Sequence, residues 1–425
     1  MPRTRALLAS VLVGCGCLAV PDAAAAPDPE PFHWGVASSG FQSEGSAPDS
    51  NWRRYAETEE PYRNSVDFRH RYAADIALAK DLGVNTYRFG VEWARIEPAK
   101  GRLDETELAY YDDVVRRVRA AGMTPMITLD HWVYPGWVAD QGAWDNPATV
   151  GDWLANARRV VGRYAHQGVL WITFNEPVIY LQKEISGRKL NPFQIAAMRQ
   201  HLVAAHRNAY DEIHRLDPGS RVSSNLAYLP PPLQQLTDPL FTDAVADKLD
   251  FVGLDYYYGL SLDNLTAIHG ATGELWKIDP QPDGLYYALR AYQRKFPRLP
   301  LYVVENGMPT DDGKPRADGY TRSDHLRDHV YWLRRARDEG VNVLGYNYWS
   351  LTDNYEWGSY RPRFGLYTVD VATDPALTRR PTDAVDAYRR VIADGGVPAD
   401  YTPVRRPAWC AFADLRTCLA NLPWP

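Results

Sequence analysis

Eight short runs of apolar, β-branched and aromatic residues recur along the chain, each separated from the next by a longer stretch of helical periodicity. They are Phe32–Ala37, Val84–Val91, Thr124–Leu129, Leu170–Phe174, Arg221–Asn225, Leu249–Asp255, Leu301–Val304 and Val341–Trp349. Short, nearly continuous apolar runs suit strands buried on both faces, as in a parallel sheet. The intervening stretches carry helix signals. Phe68, Tyr72, Ile76 and Ala79 recur at steps of four, four and three before Gly83, a glycine placed to cap the end. Thr321 stands as an N-cap with Asp324 three residues on, and Leu326, Val330 and Leu333 share one face before Gly340. Strand and helix alternating eight times predict an α/β fold, a single (β/α)8 TIM barrel. An open doubly wound sheet is the alternative, but no strand runs into a Gly-rich phosphate loop. A barrel of this kind also accommodates 425 residues in one large domain.

In such a barrel, reactive groups gather where strands end and βα loops begin. The fourth run passes into Thr173-Phe174-Asn175-Glu176-Pro177 and the seventh into Val304-Glu305-Asn306-Gly307. Taken alone, Glu176 is a helix-start carboxylate favoured by the dipole, and Glu305 a turn residue. Taken together they supply two acids across one barrel mouth, as glycosidic bond cleavage requires: one protonates the leaving oxygen, the other attacks the anomeric carbon or activates water. After the eighth run comes NYWSLTDNYEWGSYRPRFGLYTVD, residues 347–370. Trp349, Tyr355, Trp357, Tyr360 and Phe364 offer flat apolar faces there, and Asp353 and Glu356 offer acceptors for hydroxyls. That pairing suits a sugar, although aromatic residues also dominate ordinary cores.

Seven segments in order resemble glycoside hydrolase family 1, the retaining β-glucosidase and β-galactosidase family. They are residues 34–45 (WGVASSGFQSEG), 87–98 (YRFGVEWARIEP), 128–135 (TLDHWVYP), 171–177 (WITFNEP), 250–258 (DFVGLDYYY), 303–307 (VVENG) and 347–370. The resemblance implies that Glu176 is the general acid/base and Glu305 the nucleophile, with Arg88 and Tyr257 in contact with the nucleophile. It implies that Gln42, His131, Trp132, Asn175, Glu356 and Trp357 hold the hydroxyls of the reacting sugar, and that Trp349 forms the floor beneath it. A cation and a phenol beside Glu305 suit a nucleophilic carboxylate, and an apolar setting would keep Glu176 protonated. Retention of configuration calls for carboxyls ~5–5.5 Å apart, against ~6.5–9.5 Å for inversion. No cofactor and no metal ion is expected, and the partner is a carbohydrate or glycoside.

Three positions depart from the family pattern. Asp255 stands where Asn is usual and would add a carboxylate beside the catalytic pair. Asp130 stands where an aromatic is common, and Glu92 where many members have Ser. Asp130 and Glu92 read equally well as rim charges. Retention of Glu176 disfavours thioglucosidases, which carry Gln there. Glu356 disfavours 6-phosphosugars, since a carboxylate would repel phosphate. An unphosphorylated β-glucoside is the leading substrate, with β-galactoside or β-fucoside next. A transglycosidase using the same two glutamates, and a catalytically silent sugar-binding protein, are the alternatives.

Residues 1–26 read as a signal peptide: Arg3 and Arg5 precede the apolar run Ala6–Val20, and Ala23–Ala26 are small. The box Leu12-Val13-Gly14-Cys15 gives the alternative of a lipoprotein anchored at Cys15. The expected protein is exported, secreted or at the cell surface. Residues 27–400 then form the catalytic domain and residues 401–425 a C-terminal extension in which Cys410 and Cys418 pair as a disulfide. A net charge of −6 without a basic run speaks against nucleic acid and, apart from an anchor at Cys15, against membrane binding. His325 and His329 share a helix face but lack the Glu of a metalloprotease helix, so a solvated surface is expected for them. The sequence leaves the oligomeric state open.

Overall fold

The computed structural model describes residues 31–419, except the side chains of residues 271–272. The expected signal peptide and the Cys15 anchor lie outside the described residues. Eight parallel strands close into a barrel: β1 His33–Ala37, β2 Thr86–Gly90, β3 Thr124–Asp130, β4 Leu170–Asn175, β5 Arg221–Ala227, β6 Val252–Asp255, β7 Leu301–Asn306 and β8 Val343–Trp349. Each pairs with its neighbour in sequence, and β8 closes on β1 from His33–Gly345 to Ala37–Trp349. All eight strands fall within or beside the expected runs.

Eight longer helices cover the barrel: α1 Phe68–Leu82, α2 Glu105–Ala120, α3 Ala148–Tyr164, α4 Pro177–Arg188, α5 Pro192–Leu216, α6 Asp283–Lys295, α7 Arg322–Asp338 and α8 Asp383–Asp394. Their ends follow the local chemistry. Gly83 closes α1 at φ 85°, a left-handed conformation open to glycine without a Cβ clash. Thr321 and Asp324 form the expected capping box of α7, and Asn191 with Gln194 forms another before α5.

The strands are buried on both faces, as β2, β4 and β7 show along their whole length. Met126, Leu170, Ile172, Phe251, Tyr302 and Val304 pack as one apolar cluster. Above that cluster the strands' C-terminal ends turn polar, with Arg88, Asn175, Asn225, Asp255 and Glu305 all buried.

The Pro-rich stretch 229–238 reads in the sequence as a loop rather than a domain boundary, and the structure corrects this in part, because Leu233–Thr237 forms a helical turn. His325 and His329 are buried rather than solvated, with ring centroids 3.9 Å apart. His329 packs on Tyr256, with ring centroids 5.8 Å apart, and the C-terminal extension is bonded to the same helix. Asp328, on the same helix, accepts from Tyr401 Oη at 2.7 Å and from the Val404 and Arg405 amides at 2.9 Å. Further on, Trp409 N–H donates to Asp263, and the Leu262 and Phe412 amides bond across to the carbonyls of Cys410 and Leu260. The Cys410–Cys418 disulfide is formed. Among the described residues no helix is long and apolar enough to cross a membrane.

Candidate active site

Glu305, near the end of β7, accepts from Arg88 of β2 on one oxygen and from Tyr257 Oη at 2.7 Å on the other. Arg88 is fully buried. Its remaining nitrogens donate to Asn175 Oδ1 at 2.6 Å and Thr128 Oγ1 at 3.0 Å, so the guanidinium is fixed from three strands. An oxygen of Glu305, one of Glu176 and one of Asp255 all lie within 4.8 Å of one another. The chain's own guanidinium supplies positive charge at this cluster.

Glu176 follows β4 at φ 39°, in the left-handed region, and Pro177 starts α4. Conformations of this kind cost on the order of 1–3 kcal/mol for a non-glycine residue and persist only where surroundings enforce them. Here the Glu176 amide is tied to the Asn225 carbonyl at 3.0 Å. Burial pushes the Glu176 carboxyl well up, and the negative charge of Glu305 pushes the same way. Arg88 and a hydrogen bond with Asp255 pull partly back. A buried carboxyl that keeps its proton is a general acid in waiting.

The expected sugar-holding residues surround this cluster. His131 stacks on Trp349, with centroids 5.8 Å apart and planes 19° from parallel. Burial, then the Arg88 charge, hold its pKa well below the ordinary range, so it stays neutral. Trp349 itself packs with Ala37, Phe364 and Tyr257. Trp132 donates from Nε1 to the Asn175 carbonyl at 2.7 Å, and its ring meets Trp357 at 4.9 Å. Trp132 and Trp357 also have left-handed backbones, at φ 68° and 54°. Glu356 is buried and accepts from Trp349 Nε1 at 3.4 Å. Burial, with Glu305 adding to it, pushes Glu356 to about 8. Gln42 is anchored by Ser39 Oγ at 2.5 Å and reaches Asn354 at 3.5 Å. Gly307 has a local reason as well: a Cβ there would lie 1.9 Å from the Trp349 carbonyl oxygen, so only glycine lets the β7 loop pass.

Other acids prove to be structural. The oxygens of Asp353 are taken within the chain, by Gly365 N, Thr368 Oγ1 and Val369 N at 2.6–3.0 Å. Neither Asp130 nor Glu92 is a rim charge. Asp130 is buried and holds the Trp132 amide at 2.8 Å. Glu92 is buried against Gly40, where an added Cβ would meet its side chain at 2.2 Å. Asn225 escaped the sequence reading altogether. Its Nδ2 donates to Asn175 Oδ1 at 2.7 Å and to Asp255 Oδ2. The signal was present in its position, since Asn225 closes the fifth strand run, at the same end of the barrel as Glu176 and Glu305. Lys183 of α4 was also missed; its ammonium lies 3.5 Å from the Tyr55 ring centre and 5.6 Å from that of Trp357.

Comparison with known proteins agrees with this geometry. Residues 25–235 and 233–397 match the sequence model of glycosyl hydrolase family 1. Beta-glucosidase A of Thermotoga maritima is 28% identical, over 87% of this chain and 98% of that protein. A chloroplastic galactolipid galactosyltransferase of Arabidopsis thaliana is 31% identical, over 76% of this chain and 57% of its own length. The solved beta-glucosidase from Thermotoga maritima in complex with azafagomine superposes with a TM-score of 0.73 at 25% identity, over 87% and 99% of the two chains. The chain belongs to glycosyl hydrolase family 1 and is a glycoside hydrolase acting on O-glycosyl bonds.

Proposed function

We propose that the protein is an exported, retaining β-glycosidase, foremost a β-glucosidase, that removes a terminal unphosphorylated sugar. One observation carries the reading: Arg88 and Tyr257 both grip Glu305, and a Glu176 oxygen lies within 4.8 Å of it. That spacing suits direct attack and leaves less room than the ~6.5–9.5 Å at which a water fits between the carboxyls.

In the first step the Glu305 carboxylate attacks the anomeric carbon while Glu176 gives its proton to the glycosidic oxygen. The carbon–oxygen bond breaks and the aglycone leaves as an alcohol. In the second step Glu176, now a carboxylate, takes a proton from water. The water oxygen bonds to the anomeric carbon and releases Glu305. Asn175 is placed to bond the 2-hydroxyl, where contacts strengthen in the transition state. Gln42, His131, Trp132, Glu356 and Trp357 hold the other hydroxyls over the Trp349 floor. A buried Glu356 opposes a phosphorylated sugar whichever proton state it takes, because it offers no positive charge. No metal ion or cofactor enters either step.

Similarity to a protein named as a galactosyltransferase supports a second reading, in which an alcohol replaces water in the second step. Export rests on residues 1–26, with a lipid anchor at Cys15 as the alternative. A panel of p-nitrophenyl glycosides, assayed with wild type, Glu305→Gln and added alcohols, tests both readings. Cleavage by the wild type, lost in the variant, is expected. No cleavage of any glycoside, or full activity in the variant, overturns the assignment.

A further inference from the structure

Asp255 has no part in the two-step reaction just described, yet it is built into its centre. It ends β6, in register with Glu305 of β7 and Ala227 of β5, and only 1% of it is exposed. Asn225 holds Oδ2, whereas Oδ1 is buried without a hydrogen-bond partner. An orphan carboxylate oxygen is costly in such a place unless a proton or a donor reaches it. Among the described residues, the one acid beside it that is not already gripped is Glu176, which faces Asp255 side chain to side chain with oxygens within 4.8 Å. The neighbouring groups from other strands do not supply that proton. Glu305 is held by Arg88 and Tyr257, Asn175 by Arg88 and Asn225, and Glu356 by Trp349. His131 is kept neutral.

We propose that Asp255 and Glu176 share a single proton as a carboxyl dyad, with Asp255 a positioning residue that sets how tightly Glu176 holds it. The proposal rests on the assignment of Glu176 as acid/base. Charge balance favours it: Arg88 offsets Glu305, and two bare carboxylates side by side would repel each other, so one proton between them is the favoured state. When Glu176 gives its proton to the glycosidic oxygen, both members of the dyad are left negative. That state is a stronger base than an isolated glutamate. It takes the proton back from the attacking water in the second step, and the one-proton dyad is restored. Burial and the negative neighbours raise both carboxyls well above their ordinary range, in accord with this picture.

Asp255→Asn removes the charge with little change of shape, and the Asn225 contact survives an amide flip. Without Asp255, Glu176 releases its proton more easily. The alkaline limb of kcat/KM against pH should therefore move down by at least about one unit, a coupling of the size expected for adjacent carboxyls. Asp255→Ser should move it the same way. A purely structural role would lower the rate and leave the limb in place. Infrared titration of the protonated-carboxyl C=O band provides a second readout that needs no turnover: its loss should also shift to lower pH in both variants. Unmoved infrared titration overturns the dyad whether or not the enzyme is active. A shifted band in a protein that cleaves no glycoside keeps the dyad and removes the proposed function instead. If both shift while Glu176→Gln keeps full activity, the dyad is not the acid/base and the inference fails.

Discussion

Glu356→Gln should make the protein more stable and less effective, and the size of the trade depends on pH. The Glu356 carboxyl is buried beside Trp349 and is pushed from its ordinary 4.5 to about 8 in the folded chain. Between these values the unfolded chain gives up this proton and the native chain keeps it. The unfolded state therefore binds fewer protons, and native stability falls as pH rises through that window. Each unit is worth 1.36 kcal/mol, so at pH 7 the wild type has lost about 3 kcal/mol relative to pH 4.5. Glutamine does not titrate and keeps the shape. Unfolding entropy scales at ~2.1 cal/mol/K per residue, or about 0.8 kcal/mol/K for residues 31–419, so 3 kcal/mol appears as about 4 °C. Calorimetric melts of both proteins at pH 5, 7 and 8.5 should show a gap near 1 °C at pH 5, about 4 °C at pH 7 and more at 8.5. Meanwhile kcat/KM for a β-glucoside should fall on the order of tenfold, the scale of one hydrogen bond to a sugar hydroxyl. A melting gap that stays constant across the pH series refutes the reasoning.

Three further changes probe other parts of the site. Tyr257→Phe keeps the edge-on contact with Phe364 but removes the bond to Glu305. A bond to a charged group is worth about 1.5–3 kcal/mol, so kcat/KM should drop about 10–150-fold, and a loss under threefold would count against the contact. Lys183→Met takes the ammonium from the Tyr55 and Trp357 rings; with cation–π contacts worth about 0.5–2 kcal/mol, KM should rise about two- to thirty-fold while kcat holds, as steady-state kinetics will show. Replacing Cys410 and Cys418 by Ser opens a loop whose closure is worth about 2–3 kcal/mol. The effect should be local, with trypsin cutting at Arg405, Arg406 and Arg416 faster and the barrel melting within about 2 °C of wild type.

The barrel was legible in the sequence because strands buried on both faces leave no polar alternation, and their apolar runs stand out from the amphipathic helices around them. The reactive ends were legible because polar residues there interrupt an apolar run: Glu305 follows one directly, and Glu176 follows one after a single Asn175. Burial set by distant segments was not legible. His329 packs on Tyr256, far back in the chain, and nothing local to α7 announces that contact. Asp130 and Glu92 are similar. Each looks like a rim charge until the fold brings the Trp132 amide or Gly40 against it. Asp353 misled for the opposite reason. Its aromatic neighbours suggested a ligand role, while its bonds turn inward to residues 365–369.

Closure of the sheet also sets an order in time. Strand β1 can pair with β8 only after residue 349 exists, and Gln42 reaches Asn354 across 312 residues of chain. Tyr388 then locks the seam with a bond to the Gly35 carbonyl, 353 residues back. Pairings so remote in sequence form late, because their loop entropy must be met before they return anything. A growing chain therefore carries both glutamates and seven of its eight barrel strands before it carries the wall of residues 347–370, and that wall arrives only in the last fifth of synthesis.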